Sequence, residues 1–251
     1  MKNEQKILDC KLNYEGAMFQ TNSSGIVVVE EYVSNKEVHI KFIDTGYRTT
    51  VNMGNVIRGR VKDKLKPTVF GVGITGDVPN KITDGDVFKE YKVWSKMLQR
   101  CYDVKLHERY NTYIGCSVSD NFRYFQYFKE WCNNQVGFDQ PNFELDKDLL
   151  MKGNKIYSED TCLFLPHQIN STLTKSDKAR GKYPIGVTVD KRVGRFFAQM
   201  VIGDEQKKFG YSSTPEGAFY AYKEAKEAYI KELAEKWKDQ IDPRAYNALM
   251  N

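Results

Sequence analysis

The stretch that most constrains the fold lies late in the chain: "IGVTVDKRVGRFFAQMVIGDEQKKFGYSSTPEGAFYAYKEAKEAYIKELAEKW", Ile185 to Trp237. Three apolar runs too short for helices, "IGVTVD", "RFFAQMVI" and "KKFGYS", are separated by "KRVG" and "GDEQ", and they read as three consecutive strands. The period then changes. Ala218, Tyr222, Ala225, Tyr229, Leu233 and Trp237 recur at steps of three and four, one stripe of a long helix. Thr214 before Pro215 supplies its start, a capping hydroxyl followed by a residue that needs no N–H in the first turn. Glu227 with Lys231, and Glu232 with Lys236, stand four apart on the wet face. Such a helix covers one face of the sheet and leaves the other for a partner.

Charge supports that division. Between Lys175 and Lys208 nine basic residues meet four acids, whereas Pro215 to Asp239 carries five basic against six acidic residues. The excess therefore belongs to the strands and their approach. Lys191, Arg192, Arg195, Gln199, Lys207 and Lys208 are the candidates for contact with double-stranded DNA. Arg and Gln match guanine and adenine edges, and Lys matches phosphates. The motif "GVTVDKRVGRFFAQMVIGDEQKKFGYSSTPEGAFYAYKEAK" resembles the plant ethylene-response-factor (Apetala-type) DNA-binding domain. The likeness rests on the Gly-Val start, Gly-Arg-aromatic-x-Ala in the second strand, Lys-x-aromatic-Gly in the third, and the Thr-x-Glu-x-Ala helix start. It implies a sheet lying in the major groove, with Arg192, Arg195, Gln199 and Lys207 facing bases or phosphates.

Upstream the pattern is helical and aromatic. "VFKEYKVWSKMLQRCY" places Val87, Tyr91, Trp94, Leu98 and Cys101 on one stripe, and "NFRYFQYFKEWCNN" repeats the device. "FELDKDLLMKGNKIYSEDTCLFLPHQIN", Phe143 to Asn170, follows as strand, loop and helix, with acids at one end and an amide at the other. Together "WSKMLQRCYDVKLHERYNTYIGCSVSDNFRYFQYFKEW" and "LDKDLLMKGNKIYSEDTCLFLPHQIN" resemble a phage-encoded group of His-Asn-His-type endonucleases, many of them homing enzymes. The resemblance implies a ββα-metal centre holding Mg²⁺ or another divalent ion, with Asp146 and Asn170 as ligands and Asn154 as the loop Asn. It departs at one position: where active members carry Asp-His, this chain has Asp146-Lys147, and a protonated Lys cannot take a proton from water. Lys147 on the phosphate with His167 or a metal-bound hydroxide as base is one account, and a site that cuts slowly is a second. A centre that has lost catalysis and kept DNA binding is another.

From Tyr14 to Val72 short runs, "GIVVVEEYV", "EVHIKFI" and "YRTTVNM", alternate with turns and lead to Arg58, Arg60, Lys62, Lys64 and Lys66. This reads as a small antiparallel barrel, of the kind that precedes such phage nuclease modules, able to clamp the phosphate backbone or recruit a host protein. The expected architecture is α+β in three parts: barrel 1–72, degenerate nuclease module 73–174, and sheet plus helix 175–251.

Composition excludes several classes. With 41% hydrophobic and 28% charged residues the chain is foldable and not disordered. No apolar run approaches the roughly 18 residues of a membrane span. "MKNEQKILDCKLNYEG" has no apolar segment followed by a cleavage site, so a cytoplasmic location in a bacterial host is expected. Cys10, Cys101, Cys116, Cys132 and Cys162 form no Cys-x-x-Cys pair, which speaks against disulfide frameworks and zinc. The expected function is that of a phage or mobile-element DNA-binding protein. Metal-dependent cleavage is one form of it. The alternative is a catalytically silent regulator or a protein acting against the host.

Overall fold

A computed structural model describes residues 2–79, 86–174, 182–203 and 205–251 of the chain. They form two compact units, Met1–Lys129 and Glu130–Asn251.

The first unit opens with α1 (Lys2–Tyr14) and an antiparallel sheet of β1 (Met18–Gln20), β2 (Ile26–Ser34), β3 (Glu37–Phe42) and β4 (Arg48–Val51), in sequence order. Alternation makes these strands amphipathic: Val27, Val29 and Tyr32 of β2 and Val38, Ile40 and Phe42 of β3 are buried together. Tyr32 keeps to the face of Val29 because the register shifts between Val29 and Glu31, a bulge that turns Glu30 and Glu31 outward. α2 (Met53–Ile57), capped by Asn52, adds Met53 and Val56 to this core, and Val61 completes it. The sheet is open, where a barrel was expected. Among the described residues β1 pairs with β2 and β4 with β3, and no seam joins β1 to β4. The core is closed instead by α2, Val61 and the end of α1, whose Tyr14 ring stacks on Tyr32 at 5.8 Å.

Further along this unit, α3 (Lys89–Tyr102) buries Trp94, Met97, Leu98 and Cys101. The Trp94 indole N–H donates to the Phe122 carbonyl at 2.7 Å, and its ring lies 5.3 Å from that of Phe125. Gly73 lets the backbone pass against this helix, since a Cβ there would stand 2.4 Å from Leu98 Cδ1. Next come α4 (Val104–Arg109), capped by the Asp103 carboxylate, β5 (Ser117–Val118) and α5 (Phe125–Asn133).

The second unit contains β6 (Phe143–Asp146), β7 (Ile156–Tyr157), β8 (Leu163–Pro166) and α6 (His167–Leu173). After these come β9 (Val187–Asp190), β10 (Arg195–Ile202), β11 (Glu205–Ser212), α7 (Pro215–Trp237) and α8 (Pro243–Met250). β6 and β8 pair antiparallel, Phe143 opposite Pro166 and Asp146 opposite Leu163. β9, β10 and β11 form a separate antiparallel sheet with β10 in the centre. α7 starts as expected: Thr214 Oγ1 accepts the Gly217 N–H at 3.1 Å, with Pro215 in the first turn. Among the described residues the ion pairs of α7 are Lys223 with Glu227, 3.7 Å, and Glu235 with Lys238, 3.6 Å, rather than the two pairs read from spacing.

One hydrophobic cluster spans this unit. Leu163, Leu165 and Ile169 from β8 and α6 pack with Tyr229, Leu233 and Ala234 of α7 and with Ile241, Ala245 and Leu249 around α8. Met200 and Ile202 of β10 pack against the same cluster. Gly186 permits the close approach of β9 to α7: it sits at φ +75°, and a Cβ would lie 2.0 Å from Cδ2 of Tyr222. The basic link "TKSDKARGKYP" falls mostly on 175–181, outside the described residues. No described helix is long and apolar enough to cross a membrane.

Candidate functional site

Two surfaces of the second unit gather the residues singled out from the sequence. The first is the β6–β8 hairpin with α6. Asp146 ends β6 because its Oδ1 accepts the backbone N–H groups of Asp148 at 3.0 Å and Leu149 at 2.8 Å, a side-chain turn that competes with the ladder. Burial pushes its carboxyl above the ordinary range, while those two N–H groups act the other way.

Lys147 is not at the surface. It is 6% exposed, and its ammonium donates to Asp148 Oδ1 at 2.6 Å and to the Asn154 carbonyl at 2.7 Å, 5.5 Å from the centre of the Tyr157 ring. Asn154 returns the contact: its amide donates to the Lys147 carbonyl at 2.9 Å and the Ile156 carbonyl at 2.6 Å, and its Oδ1 accepts the Ile156 N–H at 3.0 Å. Side chain to backbone in both directions, the two residues clasp the loop 147–156. A buried ammonium needs such partners, since leaving one unpaired is costly. Cys162 nearby is fully buried, and burial pushes its thiol up to about 12, so it remains protonated.

His167 and Asn170, one turn apart on α6, converge on Glu144. Nδ1 of His167 is 2.9 Å from Glu144 Oε1, and Nδ2 of Asn170 donates to Glu144 Oε2 at 2.7 Å. Glu144 was not singled out from the sequence, yet it stands two residues before Asp146, on the same face of β6. That spacing was the available signal. The two expected ligands are thus engaged separately, Asp146 with backbone N–H groups and Asn170 with Glu144. Among the described residues no group of three or more His, Cys, Asp or Glu side chains is placed to hold a metal ion.

The second surface is the face of β9–β11 turned away from α7. Register and packing sort the side chains. Ala198, Met200 and Ile202 alternate toward the helix, and Arg195, Phe197, Gln199 and Val201 alternate away from it. Gly210 forms a bulge between the pairs Ala198–Phe209 and Phe197–Tyr211, which brings Tyr211 to the outer face. There its ring lies 5.5 Å from Phe197, and the Lys208 ammonium sits 4.7 Å from the Phe197 centroid. Arg195 is exposed, with Nη2 3.3 Å from the Tyr211 carbonyl, and Gln199 donates to Thr188 Oγ1 at 2.7 Å.

Lys191 and Arg192 occupy the exposed β9–β10 turn. Asp190 caps that turn; the backbone N–H of Arg192 foremost, with the Arg192 charge, holds its carboxyl below the ordinary range. Lys207 lies on the other side of the sheet: it pairs with Met200, on the face that α7 covers, and so is separated from Arg195 and Lys208.

No family model, curated protein or solved structure matches the chain.

Proposed function

We propose that the chain binds double-stranded DNA through the outer face of β9–β11 and the turn that joins β9 to β10. The observation that carries this reading is the sorting of the sheet. α7 occupies one face, while Arg195, Lys208 and Gln199 share the other, next to Lys191 and Arg192. A twisted ribbon with cations and one amide on its open face has the shape and chemistry that a major groove accepts. The Lys208 ammonium lies over the Phe197 ring, which the Tyr211 ring packs beside.

Cleavage is the second reading, and the Glu144–His167–Asn170 cluster is what supports it. A carboxylate on Nδ1 of an exposed imidazole fixes its tautomer and leaves Nε2 for proton transfer. A divalent ion, Mg²⁺ or another, would have to draw Glu144 and Asn170 out of their mutual hydrogen bond or use Oδ2 of Asp146, the oxygen outside the turn. These engagements favour a protein that holds DNA without cutting it.

The test is duplex binding by fluorescence anisotropy with wild type and Arg195→Ala/Lys208→Ala. In parallel, genomic DNA is incubated with Mg²⁺, Mn²⁺ or EDTA and its ends are mapped. Tight duplex binding, weakened at least tenfold in the double variant with DNA left intact, is the expected result. Discrete metal-dependent ends would favour the second reading, and wild-type-like binding by the variant would refute the sheet as the contact surface.

A further inference from the structure

The run Arg58-Gly-Arg-Val-Lys-Asp-Lys64, in the first compact unit, is mixed in sequence and single-signed on its surface. Exposure alternates from residue to residue: Arg58, Arg60, Lys62 and Lys64 are exposed, while Gly59, Val61 and Asp63 are buried. Val61 belongs to the core of the four-stranded sheet. Asp63, the single acid in the run, is turned inward, where Oδ2 accepts the Thr45 hydroxyl at 2.6 Å and Oδ1 the Leu65 N–H at 2.8 Å. The result is a group of cations at every second residue, in a run that turns out of α2 at Arg58 (φ −81°, ψ 1°) and Gly59 (φ +64°).

The run is held firmly. Asn22 N–H donates to the Gly59 carbonyl at 2.9 Å, and its side chain donates to the Arg58 carbonyl at 3.3 Å. Arg60 N–H donates to the Asn55 carbonyl at 2.8 Å, and Lys66 Nζ reaches the Ser23 carbonyl at 2.9 Å. Lys64 is partly neutralised by Asp77. Arg60 and Lys62 have no acidic partner among the described residues.

We infer that this group is a second binding surface, for the sugar–phosphate backbone of DNA, in a unit of the chain distinct from the β9–β11 sheet. Like charges gathered on a braced backbone suit a polyanion. Within the run every exposed side chain is cationic, and the exposed apolar residues nearest to it in sequence, Ile57 and Leu65, stand outside it at its two ends. Backbone contact of this sort adds affinity without sequence preference and shows itself through released counterions. The inference does not depend on the sheet, because different residues carry it.

Its test is the salt dependence of duplex binding by the full chain. Each cation withdrawn from a phosphate flattens the slope of log K against log salt by about 0.9. Arg60→Ala/Lys62→Ala is expected to flatten it by ~1.8, on any duplex sequence, and the charge-keeping pair Arg60→Lys/Lys62→Arg is expected to retain the wild-type slope. An unchanged slope in the alanine pair overturns the inference, as does a loss confined to an acidic polypeptide such as poly-glutamate, which would mark a protein partner. Arg195→Ala/Lys208→Ala in the same titration separates the two surfaces. A flattened slope there with none in the Arg60/Lys62 pair sinks this inference and leaves the sheet standing; the reverse pattern does the opposite. A wild type that binds no duplex sinks both.

Discussion

Replacing Lys147 by Met separates a structural role for this residue from a chemical one. Met keeps the length and apolar stem of the side chain and removes only the ammonium. Two hydrogen bonds go with it, and they weigh differently. The Asn154 carbonyl, 2.7 Å from Nζ in a residue 9% exposed, is left without that donor, a cost of roughly 1–3 kcal/mol. The Asp148 carboxylate has a side chain 55% exposed, so water replaces the ammonium and the pair is worth only about 0–1 kcal/mol. The sum is about 2 kcal/mol, which moves a urea midpoint down by roughly 1 M at ordinary slopes. Urea unfolding followed by tryptophan fluorescence, beside anisotropy on duplex DNA at 25 °C, gives both readouts. Lys147→Met is expected to lose stability and to bind DNA as wild type does under native conditions. A variant as stable as wild type that fails to bind or act on DNA would show that the ammonium serves a ligand, and the role of Lys147 as a clasp would be refuted.

Other substitutions probe neighbouring features. Asp146→Asn keeps the acceptor of the turn and removes a half-buried charge. Because the folded pKa of Asp146 is raised, wild type loses stability as pH rises from the unfolded value near 3.8 through the higher folded one. The Asn variant is expected to lack that component, visible as a smaller fall in unfolding midpoint between pH 4 and 7, whereas Asp146→Leu loses the turn and about 1–2 kcal/mol at neutral pH. Gly186→Ala places a methyl inside the Tyr222 ring at a positive φ and is expected to cost more than about 2 kcal/mol, detectable as a lowered thermal midpoint together with weakened duplex binding. Cys162, with its thiol at about 12, is expected to resist iodoacetamide at pH 8 in the folded protein and to react in urea; alkylation at equal rates in both would contradict its burial.

β2, β3 and β4 of the first sheet and all three strands of β9–β11 were legible because alternation and turn chemistry are local, whereas the three residues of β1 are too few to show a pattern. β10 begins and ends where its apolar run does, and α7 starts at the Thr214–Pro215 signal. Closure of the first sheet was not legible, since whether β1 meets β4 depends on how α1 and α2 fill the core and not on any strand's own pattern. α8 carries the same kind of start signal as α7, Asp242 before Pro243, but is too short to show a persuasive stripe. Among the site residues, Lys207 and Lys208 look equivalent in sequence; a period of two sends adjacent residues to opposite faces, and the bulge at Gly210 resets which residues follow. Burial of Lys147 had no sequence signal, because a charged residue goes inside only where distant groups, here the carbonyl of Asn154, are ready to receive it. Glu144 was overlooked for the opposite reason: an exposed acid on a strand is ordinary until a helix brings His167 and Asn170 to it.

The sharing of α7 has an evolutionary consequence. Its stripe serves the three-stranded sheet through Met200 and Ile202 and the hairpin through Leu163, Leu165 and Ile169. A lineage that no longer needed chemistry at the hairpin could not discard it without uncovering the helix that supports the sheet. Selection on the sheet alone would therefore preserve the hairpin's hydrophobic residues while its polar ones drifted. In divergent copies Leu163, Leu165 and Ile169 are expected to vary less than Glu144, His167 and Asn170.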